Sequence, residues 1–285
     1  MDLALDPVLI VLLAGAEALY LRAAREVRRR GLRLSRGQQA LWHAGLALEA
    51  FALLGPLDHL GEDLLSAHMG QHLLMADLGA PLLLAGARAP ILLFLLPRPA
   101  LVGIARRRRL RATLRWLRRP LVAVPVYLGL LYAWHLGFLF EAALEHPLVH
   151  VLQHQSFLIA GVLVWWPALE PQRTRPRGEL WKIPYVLAAR LGSMFVGMAF
   201  LLIRTPAYAG WYGERPREHG LSPLADQQLA GGLMMTLDVV VMALALCFFF
   251  WLASREDSGE AGPPPAYSTV SVPSMPPSRW PGTEQ

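Results

Sequence analysis

Residues 228–252 read QLAGGLMMTLDVVVMALALCFFFWL, an apolar run in which Asp238 is the one charged side chain. A helix needs about 20 predominantly apolar residues to cross the hydrocarbon core of a bilayer. Because that core holds no water, a crossing segment has to satisfy its own backbone hydrogen bonds, which a helix does. This run therefore predicts a transmembrane helix and indicates that the chain is an integral membrane protein.

The rest of the chain repeats this pattern. Of its 285 residues, 54% are hydrophobic and 17% are charged, whereas a soluble domain carries about 25% charged residues. Six apolar blocks precede the quoted run, at about 7–24, 38–56, 68–86, 121–140, 148–166 and 183–203. We predict an all-α bundle of about seven transmembrane helices over residues 1–253. The Pro/Ser-rich remainder, 254–285, is predicted to be a disordered tail.

The placement of the arginines predicts the orientation of this bundle. Most of the 27 Lys and Arg residues fall in a few short segments between apolar blocks, which is typical of cytoplasmic loops. The most basic segment, 106–119, is interpreted as a topology signal in contact with lipid headgroups. We therefore predict an exterior N-terminus, a cytoplasmic C-terminus and a multi-pass protein of the cell (plasma) membrane. The same placement argues against nucleic acid as a partner, although the net charge is +6.

The histidines are concentrated at one membrane depth. His68 and His72 lie four residues apart at the predicted outer start of the third span. His150 and His154 repeat this spacing at the outer start of the fifth span, and His135 lies in the outer half of the fourth. Residues four apart lie on the same face of a helix. Each pair can therefore present two imidazoles to the same neighbouring helix.

This arrangement predicts a metal site. Polar side chains are costly against lipid, so we expect them to face the bundle interior. Imidazole together with a thioether favours Cu(I) over hard cations. The predicted metal ligands are His68, His72, His135, His150, His154 and Met69. Two alternatives stay open, because one His of each pair could ligate haem iron axially, or these side chains could serve only in helix packing.

Other polar residues permit more than one interpretation. Five charged residues lie deeper in the spans and could form interhelical ion pairs or a proton or ion path: Glu17, Glu49, Asp77, Arg190 and Asp238. Asp226 opens the seventh span, either as its N-cap or as a further ligand. The single cysteine, Cys247, excludes a disulfide within the chain. The sequence contains no nucleophile elbow, phosphate loop or paired-carboxylate pattern, so we do not predict an enzyme.

Six segments carry a more specific signal. They are SAHMGQHLL (66–74), APLLLAG (80–86), Trp134-His135, HPLVH (146–150) with His154, Gly161 with WWP (165–167), and LADQQLAG (224–231). In this order they resemble the CtaG-type cytochrome c oxidase assembly factors (the caa(3)-oxidase factor), a family of seven-helix membrane proteins. The resemblance covers about 40–253. It departs at Gly137 and Gln153, where the family tends to have Pro and Glu, and at Asp77, which lies in a usually apolar stretch.

The resemblance implies a role in maturing a haem–copper terminal oxidase, with cytochrome c oxidase subunits as partners and the lipid bilayer as surroundings. It supports the hypothesis that the predicted ligands receive Cu(I) outside the membrane and pass it on by ligand exchange. Three other functions stay open: a haem-binding electron-transfer protein, a transporter of copper or protons, and a scaffold that binds oxidase subunits without metal. The oligomeric state is not predicted.

Overall fold

The computed structural model describes residues 7–169 and 180–257. Within these ranges the chain is helical and contains no strand, which confirms the predicted all-α class. Two parts of the chain that the sequence analysis interprets lie outside the described residues. They are the basic residues at 173–177, before the sixth predicted span, and the part of the predicted tail beyond 257.

The described residues form fourteen α-helices, one π-helical turn and one 3-10 turn. The α-helices are α1 (Pro7–Arg29), α2 (Arg36–Leu54), α3 (Pro56–Asp63), α4 (Leu65–Leu73), α5 (Ala80–Gly86), α6 (Leu92–Leu95), α7 (Arg98–Arg106), α8 (Arg108–Leu117), α9 (Pro120–Trp134), α10 (Gly137–Glu145), α11 (Pro147–Leu169), α12 (Lys182–Leu202), α13 (Ala209–Tyr212) and α14 (Pro223–Asp257). The π turn, Leu74–Gly79, joins α4 to α5, and the 3-10 turn is Arg215–His219.

Several of these helices are long and apolar enough to cross a membrane. Four qualify singly, namely α1, α11, α12 and α14. The pairs α2–α3 and α9–α10 qualify when each is taken as one span, bent by 46° and 69° respectively. The described residues thus supply four to six candidate spans, in agreement with a multi-pass membrane protein.

The predicted third span is a continuous helical segment with a π turn in its middle. Pro81 has no backbone N–H to donate to the carbonyl of Asp77, four residues earlier, so regular α-helical bonding cannot continue there. Instead, the Ala80 N–H bonds to the carbonyl of Met75, five residues earlier. A π turn of this kind is rare and changes the face that the following residues present. It lies directly after the His68/His72 pair.

Small residues hold two neighbouring helices close to this segment. A Cβ added at Gly161 of α11 would clash with the Ala76 carbonyl oxygen, and one at Gly45 of α2 would lie 2.8 Å from the Leu83 nitrogen. Such close backbone approach is the usual role of glycine at interfaces between membrane helices. As a result, α11 packs directly against the segment that carries His68 and His72.

The structure also adds helices where the sequence predicts loops. Between the second and third apolar blocks the chain forms α3, because Pro56 sets the backbone angle of a first helical turn directly after α2 ends. The predicted fourth span breaks at 135–136, between α9 and α10. The chain after the third span forms α7 and α8, and most of the basic segment 106–119 lies in α8. The quoted apolar run lies inside a longer helix, the 35-residue α14.

The charged residues deep in the spans have different surroundings. Arg190 of α12 donates to Asp77 of the π turn and to Asp238 of α14, at 3.0 Å for the latter. Ser193 also donates to Asp238, at 2.8 Å. This buried cluster, hereafter the arginine triad, joins three helices as the ion-pair interpretation predicts. In contrast, the buried carboxylate of Glu49 has no hydrogen-bond partner among the described residues.

Candidate metal centre

The two histidine pairs converge at one end of the bundle, hereafter the histidine end, where α4 and α11 begin. Within α4 the rings of His68 and His72 are 4.5 Å apart between centroids, and within α11 those of His150 and His154 are 4.2 Å apart. Between the helices, the His72 and His154 centroids are 5.2 Å apart and the His68 and His150 centroids 5.3 Å. The four imidazoles therefore form one contiguous cluster.

Three of them have the geometry of a metal site. His68, His72 and His154 are 1%, 6% and 5% exposed, and one ring nitrogen from each lies within 4.8 Å of the others. A transition metal bonds to imidazole nitrogen at about 2.0–2.1 Å, so the three nitrogens would have to move closer together to bind one ion. His150 is only partly buried and lies at the outer edge of this group.

Five ring nitrogens of this cluster lack a hydrogen-bond partner among the described residues. Nε2 of His68, His150 and His154, and both nitrogens of His72, are buried and make no hydrogen bond to any described residue. Buried polar atoms in folded proteins are nearly always hydrogen-bonded, because leaving them unpaired costs free energy. Neutral imidazole nitrogen is also the commonest metal ligand in proteins. The cluster is therefore better suited to a bound ion than to packing alone.

The other two predicted ligands form a neighbouring pair. His135 Nδ1 lies 2.7 Å from the Leu131 carbonyl oxygen, and His135 Nε2 lies 3.3 Å from the Met69 sulfur. Because the carbonyl can only accept, the proton of a neutral His135 is on Nδ1, which leaves a lone pair on Nε2 facing the thioether. Met69, His72 and His135 line the same cavity of about 20 Å³, which is large enough for one water or ion.

The break between α9 and α10 positions His135. Its backbone carbonyl accepts a hydrogen bond from the Tyr208 hydroxyl at 2.8 Å, and Phe140 stacks on Tyr208 with centroids 4.0 Å apart. Burial, and secondarily the Glu141 carboxylate, raises the pKa of Tyr208 above its ordinary value. Tyr208 therefore keeps its proton and remains a donor to His135 at physiological pH.

Asp226 fixes the start of the helix that carries His68 and His72. Its carboxylate accepts hydrogen bonds from the Leu65 nitrogen at 2.6 Å, the Ser66 nitrogen at 3.1 Å and the Ser66 hydroxyl at 2.5 Å. These are free N–H groups at the N-terminus of α4, where a carboxylate is favoured. Asp226 thus caps α4 and not α14, the helix for which the sequence proposed it as N-cap. Asp226 itself lies inside the first turn of α14.

Two glutamines that the sequence analysis did not single out also support the site. Gln71 donates to the Ala52 carbonyl and to the Asp58 carboxylate, both at 2.9 Å, and so ties α4 to α2 and α3. Gln227 donates to the carbonyls of Phe200 and Ile203, both at 3.2 Å, at the end of α12. Both residues occur in the quoted family segments, which is the signal that could have identified them.

A cavity of about 200 Å³ lies at the histidine end, and His68 and His150 are among the residues that line it. At its rim, Trp211 and Arg215 both donate to the Glu62 carbonyl, at 2.9 and 3.0 Å. The Arg215 guanidinium also lies 3.9 Å from the centroid of the Trp211 ring. Two histidines of the cluster thus border open space at the histidine end.

These features define an all-helical protein with several candidate membrane spans and a buried three-histidine site at one end. A family model described as "Cytochrome c oxidase caa3 assembly factor (Caa3_CtaG)" matches residues 18–256, and the chain belongs to this family. The matched range includes all six predicted ligands, and the resemblance stated from the sequence is confirmed. No curated protein and no solved structure matches the chain.

Proposed function

We propose that this protein assists cytochrome c oxidase assembly by binding Cu(I) at the histidine end and passing it to an oxidase subunit. Membership of the assembly-factor family supports the oxidase role. The observation that supports copper is the convergence of the unpaired, buried ring nitrogens of His68, His72 and His154. Copper is the cargo of this function, and the chain performs no net reaction on it.

The ligand chemistry favours Cu(I) among the metals that imidazole binds. A site of three imidazoles suits zinc or copper. The Met69 thioether beside it is a soft ligand, which adds preference for Cu(I). Because His72 and the Met69–His135 pair line the same small cavity, the ion can move between them by ligand exchange. In each exchange one copper–ligand bond forms as another breaks, and the oxidation state does not change.

The proposed topology places this site at the exterior face of the cell membrane. The continuous helical segment 65–86 would provide a seventh span beside the six candidates, with the N-terminus outside and the C-terminus in the cytoplasm. The chain near the histidine end carries the acidic residues Asp58, Glu62 and Asp63, whereas the arginine-rich α7 and α8 precede α9 at its other end. That charge asymmetry agrees with the positive-inside rule. In this orientation the 200 Å³ cavity opens to the outside.

The haem alternative receives less support. The cavities that touch the cluster measure about 20 and 200 Å³, whereas ligand pockets for sizeable molecules measure about 300–1,000 Å³. Phe140 and Phe157 pack against the histidine rings, the latter with its centroid 4.3 Å from that of His72. A macrocycle between the two pairs would have to displace these rings.

The proposal is tested by oxidase maturation in cells that depend on this protein. The variants are His72→Leu and, as a matched control, His219→Leu, which removes a histidine that lies 3.1 Å from Asp63 on the surface. We expect His72→Leu to leave the oxidase present but deficient in copper and activity, and the control to mature it normally. A metal-free scaffold would be indicated instead if His72→Leu matured a fully active oxidase.

A further inference from the structure

Gln153 is a fully buried polar side chain next to the histidine cluster. It lies on α11, directly before His154, and is 0% exposed. Neither its amide oxygen nor its amide nitrogen has a hydrogen-bond partner among the described residues, whereas the buried Gln71 and Gln227 each donate to carbonyls of neighbouring helices. An unpaired buried amide costs free energy that an apolar side chain of similar size would not. Packing of the helices therefore does not account for a glutamine at this position.

The Gln153 side chain extends toward the candidate metal ligands. His150 precedes it by three residues and His154 follows it by one, so the three side chains occupy one side of α11. Across the interface with α4, the Gln153 amide lies beside the side chain of His68. A polar group with two unpaired atoms thus borders a ring that is itself a candidate ligand.

Little net charge surrounds the three candidate ligands. Their largest interactions with ionisable groups among the described residues are with other histidines, which bind metal in their neutral form. The Asp58 carboxylate acts on His150, at the outer edge of the cluster. The carboxylates of the arginine triad line the small cavity beside His72 but are paired with the guanidinium. Because Gln153 is neutral as well, it adds no charge to the surroundings of a bound ion.

The charge of an ion decides how well a buried site without carboxylates can hold it. The cost of taking an ion out of water rises with the square of its charge, and nearby opposite charges have to offset that cost. A monovalent ion such as Cu(I) therefore needs less compensation than a divalent ion such as Zn(II). Three imidazoles alone do not make this choice, because three-histidine sites hold zinc in other proteins. The groups beside the imidazoles have to make it.

We propose that Gln153 determines the charge selectivity of the histidine end. It fills the place beside the ligands with a neutral amide, so that the centre takes a soft monovalent cation in preference to a divalent one. The amide oxygen is an acceptor that can turn toward a cation without adding a net charge. A carboxylate at the same place would attract a divalent ion about twice as strongly as a monovalent one. This inference rests on the proposed copper function and specifies the charge of its cargo.

The first test measures the affinities of the full-length protein in detergent for Cu(I) and for Zn(II), each by competition with a chelator. The variant is Gln153→Glu. The matched control is Gln155→Glu, which places the same group at a partly exposed position on another face of α11. We expect Gln153→Glu to move the ratio of the two affinities toward zinc by roughly 100-fold, and the control to move it far less. No shift in Gln153→Glu, or an equal shift in both variants, would overturn the proposal.

A second test does not require a carboxylate in the interior. The unaltered protein loaded with Cu(I) should exchange it for Ag(I), another soft monovalent ion, and should retain it against an equal concentration of Zn(II). Gln153→Leu keeps the site uncharged and should retain the preference for Cu(I). Displacement by Zn(II) in the unaltered protein, or loss of the preference in Gln153→Leu, would overturn the proposal. The ratio is measured on purified protein and oxidase maturation in cells, so this inference and the proposed function can fail separately.

Discussion

At the residue scale, His72 is the most unusual side chain of the cluster. It is buried, and both of its ring nitrogens lack a partner among the described residues. Each unpaired buried polar group costs about 1–3 kcal/mol. Without a metal the protein carries this local cost, which a bound ion would offset. A histidine kept as a metal ligand should therefore lower the stability of the metal-free protein, whereas a histidine kept for packing should raise it.

It follows that His72→Leu should abolish high-affinity Cu(I) binding without destabilising the metal-free protein. Replacing an unpaired polar group by an apolar one of similar shape is neutral or stabilising. We expect the Cu(I) affinity to fall by roughly 100-fold or more, since even outer-shell changes cost 10–100-fold, and the thermal midpoint of metal-free protein to stay level or rise. Competition titration with a Cu(I) chelator and thermal unfolding in detergent measure the two quantities.

The surface variant His219→Leu is the control and should keep the affinity. A clear drop in the metal-free midpoint of His72→Leu, with Cu(I) affinity unchanged, would assign His72 to packing.

At the element scale, the site depends on contacts between helices that are far apart in sequence. The N-terminus of α4 is capped from α14 by Asp226, and the π turn that follows is tied to α12 and α14 through the arginine triad. The segment that carries His68 and His72 is thus fixed at its start and just beyond its histidines. These two anchors lead to two separate predictions.

Asp226→Asn should weaken the cap of α4 and, through it, the metal site. Asparagine has one acceptor oxygen where Asp226 accepts three hydrogen bonds, so donors at Leu65 and Ser66 lose partners. We expect a loss of about 1–3 kcal/mol in stability together with a lower Cu(I) affinity. The control is Glu218→Gln, an exposed acid on the same side of the bundle. If Asp226→Asn behaved like the control in both measurements, the capping role would be wrong.

Removing the arginine of the triad should destabilise the bundle strongly. Arg190→Met leaves the buried carboxylates of Asp77 and Asp238 without their cation, and breaking a buried pair in this way costs about 3–5 kcal/mol. Replacing all three residues by apolar ones of similar size should recover most of that loss. The thermal midpoints of the single and triple variants measure this.

The triple variant also decides between the two interpretations of these charges. A structural triad predicts that the triple variant still supports oxidase maturation. Loss of maturation in a stable triple variant would instead indicate the proton or ion path.

At the scale of the whole molecule, the orientation in the membrane decides from which side copper would reach the proposed site. The proposed seven spans place Glu218 outside and Arg109 in the cytoplasm. In a Cys247→Ala background, a cysteine at position 218 should react with a membrane-impermeant maleimide in intact cells. One at position 109 should react only after permeabilisation. The opposite labelling pattern would reverse the topology and place the copper site on the cytoplasmic face.

The sequence predicted those parts of the structure that local pattern determines. Hydropathy identified α1, α11, α12 and α14, since a long apolar run is a property of neighbouring residues. The spacing of His150 and His154 correctly predicted that both lie on one face of α11. The pattern could not reveal the break at His135 or the division of the third span by a π turn, because these depend on how single residues meet their surroundings.

The remaining features depend on contacts that no local pattern records. That α4 faces α11, so that four imidazoles meet, follows from close backbone approach at Gly161 and from the packing of the whole bundle. Ser66, whose backbone N–H Asp226 caps, lies 160 positions away from it in the chain. Whether Met69 belongs to the three-histidine group or stands beside it with His135 could likewise be decided only by the geometry.

The central claim is that His68, His72 and His154 together hold Cu(I). X-ray absorption at the copper edge of the Cu(I)-loaded protein in detergent tests it most directly. We predict about one copper per chain, with a first shell of about three nitrogens at close to 2 Å and the outer-shell pattern of imidazole. That pattern should disappear in His68→Ala/His72→Ala. Absence of bound copper, or a shell of sulfur or oxygen without imidazole, would contradict the claim.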